Sequence, residues 1–247
     1  MKLDARVTMF MTLVATFMVC LVVGDIIGGK LTAFTLFGHE WIISAGQIAF
    51  PVTFVLTDIL NEFYGKETVR KITYLAFAMV GLTLILIQTA NLLPFWSQTA
   101  TAGWTGINAE AFNRVFSQAT KIQFASMFAF LTSNLVDISL FFVFKKMTGN
   151  KMLWLRSTGS TAISQIVDTM LINALIWMWG QGFTLDQYFS ICVTSYVVKL
   201  AAAIIITPLI YALHALIEYR FGIHPAPADV ASADIDPPEA RARDKKK

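Results

Sequence analysis

Six stretches of this chain, about 7–27, 46–63, 72–93, 122–144, 157–180 and 188–217, are apolar over nearly the length a helix needs to cross a bilayer, roughly 20 residues. Backbone groups inside hydrocarbon must satisfy one another, so such stretches fold as helices packed together. The expectation is an all-α membrane protein of six transmembrane helices filling residues 1–223. Composition agrees: 56% of residues are hydrophobic and 14% charged, against roughly 45–50% and about 25% in soluble domains. The second stretch is short and turns polar at its end.

The flanks give an orientation. The first stretch follows Lys2 and Arg6, as a signal peptide would, but CLVVGDIIGG (20–29) offers no small-x-small cleavage site, so a retained helix is expected. With alternating spans, one side collects Lys2, Arg6, Lys66, Arg70, Lys71, Lys145, Lys146, Lys151, Arg156, Arg220 and a basic tail. The other side holds Lys30, Arg114 and Lys121. The positive-inside rule therefore puts both termini in the cytoplasm. A formal charge of +3 is too small to imply a nucleic-acid partner. Cys20 and Cys192 sit in apolar runs without disulfide or zinc spacing and read as buried thiols.

Between the spans, KLTAFTLFGHEWIISA (30–45) is β-branched and aromatic around a Gly-His turn and reads as a short hairpin or re-entrant lip. Residues 94–121 form a long outer loop, in which AEAFNRVFSQATK is weakly amphipathic and is expected on the membrane surface or capping the bundle. Residues 224–247 are rich in Pro, Ala and charge with almost nothing to bury, and are expected to be disordered.

Ionisable side chains at membrane depth are costly and normally face the bundle interior, where they mark a function. The candidates are Asp58, Glu62, Asp137, Asp168 and Lys199, accompanied by Asn61, Asn134, Gln165 and Asn173. Glu62 lies near the inner end of its stretch and has an interfacial alternative. Asp25, near the outer end of the first, has solvent within reach. Asp137, Asp168 and Lys199 have no such escape. Asp58 with Glu62, and Thr57 with Asn61, are four residues apart; Asn134 with Asp137, and Gln165 with Asp168, are three. Three helices thus each present a carboxylate with an amide about a turn away, and Lys199 offers a cation. The competing reading is interhelical glue, an inefficient use of charge at about 0.6–2 kcal/mol per hydrogen bond. Gly24 and Gly28 have GxxxG-like spacing, which reads as close helix packing.

No HExxH, GxSxG or P-loop run occurs, and His39, His214 and His224 are scattered, so neither metal nor cofactor is expected. A carboxylate-and-amide pocket suits a polar organic solute, neutral or cationic. Guanine-like edges present adjacent N–H donors that one carboxylate accepts together, and Phe54, Phe130 and Trp177 offer flat faces to a ring. An intramembrane enzyme or a structural scaffold built on the same polar ring is the rival, without a nucleophile–base pair to name.

Four runs carry a family resemblance. FPVTFVLTDILNEFYG (50–65) holds a TD-x5-YG core at Thr57, Asp58, Tyr64 and Gly65. SNLVDISLFFVFKK (133–146) is a polar helix ending in basic residues, and LRSTGSTAISQIVDTMLIN (155–173) places Ser160, Thr161, Gln165, Asp168 and Thr169. SYVVKLA (195–201) carries Lys199. In this order, over about 50–223, they resemble the queuosine-precursor transporter family, vitamin-uptake-like proteins of bacterial membranes. The resemblance implies import of 7-deazaguanines, namely 7-cyano-7-deazaguanine and 7-aminomethyl-7-deazaguanine, for transfer RNA modification, across the inner (plasma) membrane. It also implies a fold like the six-helix substrate-binding subunits of energy-coupling-factor vitamin transporters.

The expected substrate-binding set is Asp58, Asp137 and Asp168 for the base's N–H groups, and Gln165, Asn134 and Asn173 for its carbonyl and amine edges. Lys199 holds a carboxylate ionised, and Asn61, Glu62 and Phe54 complete the set. The partners are the base and lipid, with a homo-oligomer left open. A subunit of an ATP-driven complex is the alternative; VTMFMTLVATFMVCLVVG (7–24) shows no clear Ala-x-x-x-Ala docking row, which favours stand-alone action.

Overall fold

A computed structural model of the chain describes residues 5–36, 38–101, 103–148, 151–178 and 184–226, without the side chains at 36, 39, 40, 42, 117–119, 177 and 178. Helix α1 (Ala5–Ile27) leads into an antiparallel hairpin, β1 (Leu31–Leu36) and β2 (His39–Ser44). Leu31 pairs with Ser44, Phe34 with Trp41 and Leu36 with His39, so of the hairpin or re-entrant lip expected at 30–45 it is the hairpin that forms. A 3-10 turn (Ala45–Ala49) joins it to α2 (Phe50–Tyr64), which has Pro51 in its first turn, where a missing N–H costs nothing. Gly65, at φ +78, ends α2 and begins α3 (Lys66–Leu92). Then follow α4 (Ala109–Thr148), α5 (Leu153–Asn173) with a π-helical turn (Ala174–Met178), and α6 (Leu185–Phe221).

The hairpin is tied back to α1. Ser44 Oγ donates to Gly28 O at 2.6 Å and Ala45 N to Lys30 O at 2.7 Å. The 3-10 turn then crosses α1 so closely that a Cβ on Gly46 would stand 2.4 Å from Gly24 O and 3.1 Å from Gly28 Cα. The GxxxG spacing is therefore used inside the chain, as a groove for the turn.

Helix α2 is the buried centre of the bundle: every residue from Val55 to Gly65 is buried. It packs along α1, α3 and α6, and its Glu62 side chain reaches Lys145 of α4 and Arg156 of α5. Its C-terminal half enters an apolar cluster with Ile72, Ile138, Phe141, Leu153 and Ile210. Its N-terminal half faces a cavity. Of the described helices, α1, α3, α4 and α6 are long and apolar enough to cross a membrane. Helix α2 has 15 residues, and α5 turns Arg156, Ser157, Ser160, Thr161 and Ser164 inward as buried groups; α4 adds Gln123, Ser133, Asn134, Asp137 and Lys145, and α6 adds Lys199. Outward, Val19, Ile85, Leu86, Val193 and Ile205 are exposed, the surface that lipid wets without penalty.

Two expectations need correction. Residues 109–121 are not a separate surface segment but the first turns of α4, whose 40 residues contain no Gly or Pro to stop it and extend about 60 Å. The tail does not begin free at 224: Ala226 is 2% exposed and its N–H donates to Glu62 O at 2.8 Å. Residues 227–247 lie outside the described residues.

Candidate functional site

A cavity of about 600 Å³ opens among α1, α2, α4, α5 and α6, with the 3-10 turn along one edge. Its best-defined feature joins three helices. Lys199 Nζ of α6 lies 2.6 Å from Asp168 Oδ2 of α5, and Ser133 of α4 donates to Asp168 Oδ1 at 3.1 Å. Lys199 Nζ also stands 4.7 Å from the centroid of the Phe50 ring, a cation–π contact. The two side chains are 4% and 13% exposed, so each charge depends on the other.

A second carboxylate, Asp137 of α4, holds Oδ1 among hydroxyls of α5: Ser160 at 2.9 Å, Ser164 at 3.1 Å and Thr161 at 3.5 Å. Residues 160 and 164 share a helix face and 161 lies beside it, which is why one oxygen can collect all three. A third, Asp25 of α1, accepts from Ser126 Oγ of α4 at 2.6 Å. Gln165 is half-buried on the wall and has no hydrogen-bond partner among the described residues, and Gln47 Oε1 is buried without one. Buried amides without partners are uncommon enough to need a reason. Gln47 and Gln165 stand on the cavity wall, but Asn61 and Gln123 are buried and unpaired among the described residues and lie off it, so wall position alone does not account for such groups. Phe50 with Phe54, 6.1 Å apart at 25°, and Phe17 with Phe130, 6.1 Å apart at 48°, supply ring faces.

The expected residues divide. Phe54, Asn134, Asp137, Gln165, Asp168, Asn173 and Lys199 are brought together on the wall. Asn134 Nδ2 is committed to Thr73 Oγ1 at 2.7 Å and Asn173 Nδ2 to Thr169 O at 2.9 Å. Asp58, Asn61 and Glu62 are not on the wall. Asp58 accepts a short hydrogen bond from Ser157, and its other oxygen has no partner among the described residues. Asn61 is fully buried, and neither amide atom has a hydrogen-bond partner among the described residues.

Glu62 belongs to an ion cluster at the far end of α2. Arg156 Nη2 and Nε approach its two oxygens at 2.7 and 2.9 Å, and Lys145 Nζ lies 3.2 Å from Oε2. The side chain of Trp177 lies outside the described residues.

Sequence reasoning left Lys145 and Arg156 among the loop cations, left Asp25 to solvent, and passed over Ser126 and Gln47. Some of this had a signal. Arg156, Ser160 and Ser164 run four apart on one face of α5, and Ser126, Ser133 and Asp137 on one face of α4, at spacings of seven and four. Gln47 had none, because it stands in the non-repeating turn.

Apolar outside, with ionisable and amide side chains converging on a solute-sized cavity inside, this has the build of a multi-pass membrane protein. Residues 44–213 match the family described as "Putative vitamin uptake transporter", and the chain belongs to that family. Its relatives include the "Probable queuosine precursor transporter" of Bacillus subtilis (strain 168), 29% identical over 173 residues, 70% of this chain and 72% of that one. The "Queuosine precursor transporter" of Escherichia coli (strain K12) is 24% identical over 161 residues, 65% of this chain and 67% of its own. No solved structure matches the chain.

Proposed function

We propose that this protein is a stand-alone importer of the bacterial inner membrane that carries the 7-deazaguanine precursors of queuosine for transfer RNA modification. It would span the bilayer six times with both termini in the cytoplasm. The observation that carries the reading is the Asp168–Lys199 pair on the cavity wall, beside the free amide of Gln165 and the hydroxyl-held Asp137. A guanine edge needs an acceptor for two adjacent N–H groups and a donor for its carbonyl. Asp137 and Gln165 offer those complements, and the Phe50–Phe54 face offers a stacking surface. The cavity volume of about 600 Å³ is within the range of about 300–1,000 Å³ usual for small-molecule sites. The names of the relatives point to the same solute.

In this reading, Asp168 pairs with Lys199 and so bridges α5 to α6. A base that takes one of Asp168's acceptor positions loosens that bridge, which couples occupancy to movement of α6 against α5. Stand-alone action is supported by the filling of the Gly24–Gly28 groove by the chain's own Gly46, which removes a small-residue row from any partner. The test is a bacterium that can neither make queuosine precursors nor import them. Expressing this protein with 7-cyano-7-deazaguanine supplied should restore queuosine in transfer RNA, and Asp168→Asn should abolish the restoration. No restoration by membrane-expressed wild type would overturn the proposal, and co-purification with ATPase subunits would overturn the stand-alone part.

A further inference from the structure

Three carboxylates line the cavity, Asp25, Asp137 and Asp168, while Lys199 is the one cation among its described lining residues. Lys199 is committed to Asp168 at 2.6 Å. Asp137 is provided for by three hydroxyls of α5. Asp25 is the least provided for: Ser126 donates to Oδ1, and no described Lys, Arg or His forms an ion pair with it. Gln47 is also on the wall, and its Oε1 is buried without a donor among the described residues. The place where the 3-10 turn crosses α1 therefore holds acceptors in excess of donors. A carboxylate so placed costs free energy unless it takes up a proton or a counter-charge arrives, and an ammonium brings both the charge and three N–H donors.

We propose that Asp25, with Gln47, is the ammonium-recognising pole of the cavity, and that it makes the protein prefer a deazaguanine bearing a protonated aminomethyl group over the neutral cyano compound. The proposal rests on the reading of the protein as a deazaguanine importer. It assigns the guanine edge to the Asp137–Asp168 side and the 7-substituent to the α1 side, so one molecule spans the chamber between two acidic poles. Asp25 lies outside residues 44–213, the part that matches the family, and Gln47 lies within it, so the pole joins α1 to the matched segment.

The experiment supplies each base separately to the importer-free, precursor-deficient strain and compares the half-saturating concentrations for wild type and Asp25→Asn. The expected result is a wild-type preference for the aminomethyl base. Asp25→Asn should shift that preference toward the cyano base on the order of thirtyfold, the scale for truncating one side of a desolvated charge pair. Asp25→Glu should restore most of the preference. A shift below roughly tenfold, which is about 1.4 kcal/mol, or equal weakening of both bases, would overturn the assignment, as would a wild type that favours the cyano base. Import of neither base by wild type would instead defeat the importer reading, and this proposal with it.

Discussion

Glu62 should be a stability residue, and Glu62→Gln is the substitution that shows it. The side chain is 1% exposed and one carboxylate serves two cations that are themselves 2% and 0% exposed, Arg156 and Lys145. Glutamine keeps the shape but removes the charge, and its amide turns donors toward groups that only donate. Breaking a buried pair from one side costs about 3–5 kcal/mol, because the abandoned charge stays in a low dielectric. With two cations left over, the upper part of that range is expected. For a chain of this size it corresponds to a melting temperature lower by roughly 10–20 °C.

The assay is thermal unfolding of the detergent-purified protein followed by tryptophan fluorescence. Adding Lys145→Met removes one abandoned cation, so the double variant should regain at least a third of the loss, as coupling in a double-mutant cycle. A Glu62→Gln protein melting within about 3 °C of wild type would show that each kcal/mol was overestimated severalfold. A strictly additive double variant would show that the two groups do not share the cluster, and either result would refute the reasoning.

Packing at the turn gives a second prediction. Gly46→Ala forces a Cβ to 2.4 Å from Gly24 O, backbone against backbone, and should lower the melting temperature sharply. Gly81→Ala inside α3 meets only Met127 Sδ at 3.9 Å and should gain up to about 1 kcal/mol; equal behaviour would count against the crossing. In the chamber, Lys199→Met leaves Asp168 with the Ser133 hydroxyl as its remaining described partner. Purified Lys199→Met protein is predicted to lose base binding by calorimetry, and unchanged affinity would remove the pair from the site. Phe54→Ala should weaken binding by about 1–3 kcal/mol, the usual scale for base–aromatic stacking. Phe54→Trp should keep it, and indifference to both would mean that no ring stacks there.

Much of this protein was legible along the chain because hydrocarbon imposes a one-dimensional rule. Each apolar stretch had to be a helix, and each charge within it had to face inward. That reasoning located the bundle and placed Asp137, Asp168, Lys199, Gln165 and Phe54, which do meet on the cavity wall. It also read the hairpin from its β-branched residues and central turn.

Tertiary structure alone decided which partner each polar face meets. Spacing along α2 puts Asp58 and Glu62 on one face but cannot say that the bundle is apolar at that depth, so that Glu62 is claimed by Arg156 and Lys145 and stays off the cavity wall. Those two cations obey the positive-inside count, which registers the end of a helix and not the direction of a long side chain folded back into the core. Asp25 was lost for the mirror reason: its place near the end of the first stretch is readable from the sequence, but its position on the cavity wall, bonded to Ser126 of α4, is a long-range contact. Depth is a property of sequence position, whereas enclosure depends on how separate helices pack.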